Sequence, residues 1–205
     1  MDKSKRILLL GSTGGIGASC YSLLSDCDVT TLTTNDLDLN YPERIFEFDF
    51  SNFDLLLNCT GHSKGTYLGF LSNSWENQLS QISVNYISNL FLLKHYASSN
   101  KYGKYVWINS VLTDSPRPFH SVYASSKLAS KFAIDLIREE VKHIDILEVK
   151  LGLVKSNFRY NNFNGSKTKE EVDKTYDYQA LECDYVAKKI IEAVNRNDKE
   201  ILLDV

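Results

Sequence analysis

The run Leu10-Gly-Ser-Thr-Gly-Gly-Ile-Gly17 constrains the fold most. It follows a continuous apolar stretch, Arg6 to Leu10, and opens a segment of helical character, Ala18 to Leu24. A strand that passes through glycines straight into a helix gathers backbone N–H groups and the positive end of a helix dipole at one point, where a pyrophosphate can be held. Glycines permit that approach because no Cβ stands in the way. The spacing fits two patterns: Gly11, Gly15 and Gly17 as G-x-x-x-G-x-G, or Gly11, Gly14 and Gly17 as G-x-x-G-x-x-G. No Lys-Ser or Lys-Thr follows, which disfavours a Walker-type triphosphate site. Taken alone, the run is also what a plain strand-to-helix turn looks like.

Similar apolar runs recur at Asp28 to Thr33, Phe53 to Asn58, Tyr105 to Asn109, Ile146 to Leu151 and Glu200 to Leu203. Between most of them lie segments of helical periodicity. Trp75 to Ser99 places Leu79, Ile82, Tyr86, Leu90 and Leu93 at three- and four-residue steps, and Ser121 to His143 does the same with Leu128, Phe132, Leu136 and Ile137. A last helix is expected over Asp184 to Asn195. The alternation predicts an α/β fold, a doubly wound parallel sheet with helices on both faces, in one domain over residues 1–205. One connection is too short. Strand two ends near Thr33 or Thr34, and the extended-looking Leu37 to Leu39 begins about three residues later, leaving no room for a parallel crossover. The helix between strands two and three is therefore expected to be missing, with a small helix starting near Pro42 instead. Lys155 to Gln179 reads as a long polar loop with one short helix, the kind of segment that serves as a binding lid, and Tyr160 and Phe163 would line it.

The 205 residues, 43% hydrophobic and 24% charged with a net charge of −3, suit an ordinary globular domain. Runs such as Ile7 to Leu10 fall far short of the roughly 20 residues of a membrane span, and no charged leader precedes a cleavable apolar segment, so no membrane partner and a cytoplasmic location are expected. Cys20, Cys27, Cys59 and Cys183 fall at no metal-like spacing, which predicts free thiols and no metal site. The slightly acidic balance argues against a nucleic-acid partner.

Tyr123-Ala-Ser-Ser-Lys127 puts a phenol and an ammonium one helical turn apart, on one face. A phenol is a poor base at its ordinary pKa near 10, and a neighbouring cation favours the phenolate by about 1.4 kcal/mol per tenfold shift. Ser110 ends the run Tyr105 to Asn109, and Asn85 sits in the long helix before it. With these residues in place the chain resembles the short-chain dehydrogenase/reductase family over nearly its whole length. Gly11, Gly15 and Gly17 match the family's glycine motif, with Leu10 where a threonine is usual. Asn58-Cys-Thr-Gly61 resembles its Asn-Asn-Ala-Gly segment. Asn85, Ser110, Tyr123 and Lys127 match its catalytic tetrad in order and spacing. Leu151-Gly-Leu-Val-Lys-Ser156 resembles its Pro-Gly segment, with Leu151 for proline and Ser156 for threonine.

The resemblance implies a compact Rossmann-type oxidoreductase, a carbonyl reductase or alcohol dehydrogenase moving hydride between a nicotinamide and a small carbonyl or hydroxyl compound. Tyr123 would be the general acid/base, Ser110 would help hold the substrate oxygen, Lys127 would tune Tyr123 and bind the nicotinamide ribose, and Asn85 would hold a water. Cofactor contacts are implied at Gly11, Ser12, Gly15, Ile16 and Gly17, at Asn58 and Gly61, and at Gly152, Val154 and Ser156. Thr33 and Thr34 would stand at the position that selects the cofactor, with Asp38 and Leu39 beside the adenine. No acid occupies that position, which favours NADP; a shift of two or three residues would bring Asp36 into an NAD-selecting role. His62, Lys64, Arg117, His120, Lys155 and Arg159 fall on the loops that would form the substrate mouth, with His62, Arg117, His120 and Arg159 as candidate contacts. They read either as solvated loop charges or as a site for an anionic substrate. A homodimer or homotetramer is implied through the two long helices, with Phe91, Tyr96 and Phe132 on their outer faces. Two other readings remain: a sugar-nucleotide epimerase or dehydratase of the extended branch, and a dinucleotide-sensing regulator without turnover. The first expects a large C-terminal domain, whereas about fifty residues follow Ser156 and must still supply a final helix and strand, and the second has no need of a tuned phenol.

Overall fold

A computed structural model describes residues 2–174 and 180–204. Six parallel strands form the central sheet: β1 (Arg6–Leu10), β2 (Asp28–Leu32), β3 (Leu55–Asn58), β4 (Gly103–Ser110), β5 (Ile144–Leu151) and β8 (Glu200–Leu203). Their spatial order is β2-β1-β3-β4-β5-β8. The order reverses between β1 and β3, and ligands of open α/β sheets bind outside the strand C-termini at such a point. Residues in β1 alternate between two cores, as a strand buried on both sides must. Leu8 and Leu10 join a cluster with Tyr96, Trp107 and Ile134; Ile7 and Leu9 join one with Cys20, Val186 and Ile190. The first face is covered by the helical segment α2 (Trp75–Ile82) to α3 (Ser88–Ser99) and by α4 (Ser121–Glu140), the second by α1 (Gly15–Leu23) and α7 (Cys183–Arg196).

The crossover after β2 has the expected form. Leu37 to Leu39 forms no strand, and a 3₁₀ turn runs over Pro42–Glu47. Leu37, Leu39, Ile45 and Phe50 sink into the first core, so four side chains do the covering that a longer helix would otherwise provide. The lid segment carries two short helices rather than the single one expected, α5 (Asn157–Asn162) and α6 (Lys169–Asp173); its last five residues, 175–179, lie outside the described residues. Thr168 closes a capping box with Glu171, which explains a second start. A two-stranded parallel ribbon, β6 (Val154–Lys155) with β7 (Leu181–Glu182), ties the two ends of the lid together.

The long helices bury different faces from those their apolar periodicity suggests. Leu79 and Ile82 are exposed, while Gln78, Gln81, Asn85, Ser88 and Asn89 are buried. On α4, Leu128, Phe132 and Leu136 face outward, and the buried face carries Tyr123, Ala124, Ser126, Lys127, Ser130 and Ile134. Hydrogen bonding between the helices decides this. Ser130 donates to the Asn85 carbonyl at 2.6 Å, and the Asn89 amide donates to Ser130 at 3.3 Å. Tyr96, expected on an outer face, is fully buried, with its hydroxyl donating to the Phe53 carbonyl at 2.9 Å.

Candidate active site

The glycine turn begins in left-handed backbone at Gly11 (φ 79°), a conformation that favours glycine. Helix α1 starts at Gly15, three residues before the sequence expectation. A Cβ on Gly17 would collide with the Gly11 carbonyl, so that position needs glycine simply to let turn and helix meet. Among the described residues, the amides of Ser12, Thr13, Gly15 and Ile16 find no carbonyl acceptor, and they sit at the positive end of α1. This cradle of unpaired donors fits a diphosphate. Gly15 faces Ser156 and Cys183: a Cβ there would come within 2.9 and 2.7 Å of them. The β6–β7 ribbon is thereby set against the cradle, with Gly152 and Val154 just before Ser156.

At the end of β2, Asp36 folds back so that its Oδ2 accepts from the Thr33 amide and hydroxyl, both at 2.8 Å. These bonds hold its carboxyl below the usual range. A carboxylate therefore stands at the strand end although no acid occupies Thr33 or Thr34. Asp38 accepts from the Asn40 amide and side chain at 2.9 Å, and Leu39 is a core residue whose carbonyl accepts from Ser83 and Ser88.

Asn58 ends β3 and is buried. Its amide donates to Asn89 and Tyr105 at 3.2 Å, and its oxygen accepts from Thr60, which fixes the loop leading to Gly61. Asn85 lies in a π turn, Ser83–Ile87, that joins α2 to α3. Its side chain accepts from the His62 amide and donates to the His62 carbonyl, both at 2.8 Å, and also donates to Ser126. The extra residue of a π turn turns Asn85 toward this loop. Such π turns cluster at functional sites.

Ser110 ends β4, where its hydroxyl caps a 3₁₀ turn by accepting from Leu112 at 3.2 Å and also hydrogen-bonds Tyr123. Burial pushes the Tyr123 phenol up to about 12, and the Ser110 bond acts in the opposite direction. Lys127 is 4% exposed, and burial lowers it to about 8. Its Nζ donates to the Ile108 carbonyl at 2.8 Å. Burial sets the direction of the Tyr123 shift, and Lys127 is not among its causes in this arrangement. Asn58, Thr60, Asn85 and Lys127 line one small enclosed recess.

The candidate substrate residues gather on three loops. His62 has its Nε2 buried without a partner, and burial together with Lys64 lowers its pKa. His120 sits edge-on to Tyr67 with ring centroids 5.0 Å apart, and Arg159 lies over the same ring at 5.9 Å. Phe163 stacks on Tyr67 with ring centroids 4.7 Å apart, and Tyr160 is half-buried. Arg117 is exposed on its loop, and Lys155 is paired with Glu182 on the ribbon, away from the cluster. Sequence reasoning missed two residues. Tyr67 is the hub of the cluster, and Phe158 lies 6.1 Å from the Tyr123 ring and against Gly61. The one available signal was the spacing of Phe158, Arg159 and Phe163, which puts two aromatics and a cation on one short lid.

The sequence profile described as short chain dehydrogenase matches residues 26–167, well over half of the chain. The chain belongs to the short chain dehydrogenase family. Among curated relatives, Dehydrogenase/reductase SDR family member 7B from Xenopus tropicalis is 27% identical over 186 residues, 88% of this chain and 56% of the relative. Its Rattus norvegicus counterpart is 28% identical, covering 75% of this chain and 48% of its own. The chain thus spans about half the length of the curated relatives it matches. Among solved structures, a small-chain dehydrogenase in complex with NADPH superposes with a TM-score of 0.83 at 17% identity, covering 98% of this chain and 97% of that one. An alcohol dehydrogenase from Thermococcus sibiricus complexed with 5-hydroxy-NADP gives 0.76 at 18% identity, covering 98% and 96%. These likenesses establish the fold as a Rossmann-like parallel α/β sheet. No helix among the described residues is long and apolar enough to cross a membrane.

Proposed function

We propose that this chain is an NAD(P)-dependent oxidoreductase that interconverts a carbonyl and a hydroxyl group on a small molecule. The observation that carries the reading is the meeting of Ser110 and Tyr123 at the C-terminal end of β4, with Lys127 one turn further along α4 and the glycine cradle two strands away. The amides of Ser12, Gly15 and Ile16 would hold the diphosphate of the dinucleotide, with Gly61, Gly152, Val154 and Ser156 along its nicotinamide half. When bound, the nicotinamide supplies or accepts hydride. Ser110 donates a hydrogen bond to the substrate oxygen and orients it toward Tyr123. Tyr123, neutral through the physiological range, gives its proton to the developing alkoxide in reduction and takes it back in oxidation. Lys127 stabilises the resulting phenolate, and Asn85 holds the loop that shapes the recess.

Both NADP and NAD are kept. Several neighbours of the same fold were solved with NADP or NADPH, which supports NADP; the Asp36 carboxylate at the end of β2 supports NAD, because it repels a 2′-phosphate. Fluorescence titration with NADPH and NADH, followed by an aldehyde and ketone screen for loss of reduced-cofactor absorbance, tests the reading. Binding with turnover on some carbonyl is the expected result. Tight binding without turnover on any carbonyl would favour a dinucleotide-sensing regulator instead.

We also propose that the chain forms a homodimer through α2 and α4, which lie side by side and leave Leu79, Ile82, Leu128, Phe132 and Leu136 uncovered. An apolar surface of this kind on adjacent helices is costly to leave in water.

A further inference from the structure

Two charged side chains of β5, Glu148 and Lys150, stand inside the molecule. They alternate with Leu147, Val149 and Leu151, which face the second core, and so point to the side that α4 covers. Glu148 is fully buried and Lys150 nearly so. Taking a charge out of water is expensive, and a buried polar group needs a reason. The proton transfer assigned to Tyr123 uses neither residue.

Glu148 bridges the two elements that carry the reacting hydroxyls. Its Oε1 accepts from the side-chain amide of Asn109, the residue before Ser110 on β4. The Asn109 side-chain oxygen has no partner among the described residues, so the bond to Glu148 is what fixes that side chain. The Glu148 Oε2 makes no hydrogen bond among the described residues and lies 3.6 Å from the ammonium of Lys131, one turn beyond Lys127 on α4. Lys131 also meets Asp135 at 2.7 Å on its own helix; of these two carboxylates, only Glu148 belongs to the sheet. Lys150 holds the other side of Ser110. Its ammonium donates to Asp114 at 2.7 Å, with Glu200 of β8 at 3.5 Å. Asp114 closes the 3₁₀ turn Val111–Thr113, in which the Thr113 hydroxyl donates to the Ser110 carbonyl at 2.8 Å. Residues before and after Ser110 are thus fastened to β5, and the helix that bears Tyr123 and Lys127 is fastened to the same strand.

We propose that Glu148 is a positioning residue for proton transfer: by joining Asn109 on β4 to Lys131 on α4, it sets the placement of the Ser110 hydroxyl relative to the Tyr123 hydroxyl. This deepens the oxidoreductase reading and rests on it for the roles of Ser110 and Tyr123. A buried ion pair is a weak source of stability, because desolvation offsets the attraction, and here its effect lies in the one relative arrangement of strand and helix that it permits. Misplacing a reacting group by about 1 Å can cost about 10²-fold in rate.

Three variants separate placement from stability. Glu148→Gln keeps the volume and an oxygen for Asn109, Lys131→Met removes the cation, and the double variant removes both charges so that neither is left unpaired. The measurement is the single-turnover oxidation of bound reduced cofactor by the best carbonyl of the screen. Each single variant is expected to be about 10–100-fold slower than wild type, and the double variant no slower than the singles, because both substitutions break one link. The solvent deuterium isotope effect on that rate should rise as the misaligned proton transfer becomes limiting, a change that loss of packing alone would not produce. Cofactor affinity should stay within twofold, and the urea midpoint of the double variant should equal or exceed that of wild type. Rates within twofold of wild type, single losses that multiply in the double variant, or a double-variant midpoint that falls in step with its rate overturn the proposal and leave the oxidoreductase reading standing. A wild-type chain that turns over no carbonyl overturns both.

Discussion

Lys127 shows how one buried group sets a pH dependence. Burial holds its pKa near 8, so the ammonium is present below that pH and lost above it. Tyr123 keeps its proton to about 12 and is ready to donate throughout. Reduction needs the charge on Lys127 to stabilise the phenolate left behind. The kcat for carbonyl reduction is therefore expected to fall as pH rises through about 8, and Lys127→Arg should remove that inflection, since a guanidinium stays charged. The sign for stability runs the other way. The unfolded lysine keeps its proton up to its ordinary range near 10.4, so burial disfavours the folded state most below pH 8, and the penalty fades between about 8 and 10.4. Lys127→Met should raise the urea midpoint at pH 7 more than at pH 10. Asn85 makes a second prediction at this scale. Its side chain satisfies both the amide and the carbonyl of His62. Asn85→Ala leaves both groups unpaired and should cost about 1–3 kcal/mol in urea unfolding.

At the scale of elements, much of the sheet was legible in the sequence. Each of the six strands coincides with a short run picked out in the sequence; β1, β3, β4 and β5 stand out because a parallel strand buried on both faces has no polar side to interrupt it, whereas the edge strands β2 and β8 keep an exposed side. The shortened crossover could be read from chain length alone, and the helix after the glycines from the turn chemistry. Which face each long helix buries could not be read. Leu128, Phe132 and Leu136 have the spacing of a core stripe, yet the core side of α4 is a row of small and polar residues, Ala124, Ser126 and Ser130, bonded to α3 and its π turn. Apolar periodicity is blind to such a face, and a π turn leaves no apolar signature of its own. Asn85, Ser110, Tyr123 and Lys127 and the glycine turn stood out in the sequence through their residue types and spacing. Tyr67 and Phe158 did not, because they meet the site only through tertiary contacts. The glycine turn carries the prediction for this scale. Gly17→Ala sets a methyl against the backbone carbonyl of Gly11, and backbone cannot swing aside. It should lower stability by about 1–3 kcal/mol in thermal unfolding and weaken NADPH and NADH binding together.

For the whole molecule, the position of the site follows from topology. The reversal of strand order between β1 and β3 opens a crevice at the strand C-termini, and the glycine cradle, Asn58 and Ser110 stand along that edge on β1, β3 and β4. The outward stripe of α4 lies on the far side of the same helix that carries Tyr123 and Lys127, so a partner seated there would stiffen the element that bears both. Light scattering should give a dimer for the wild-type chain and a monomer for Phe132→Glu; a wild-type monomer at all accessible concentrations would refute the interface. The central claim, that Tyr123 transfers the proton, is tested most directly by steady-state reduction of the best carbonyl from the screen with wild type and Tyr123→Phe. Phenylalanine keeps the ring and its packing on Phe158 but removes the hydroxyl. The account predicts that cofactor affinity is retained and kcat falls by about 10²–10⁴-fold, whereas a kcat within a factor of two of wild type would contradict it.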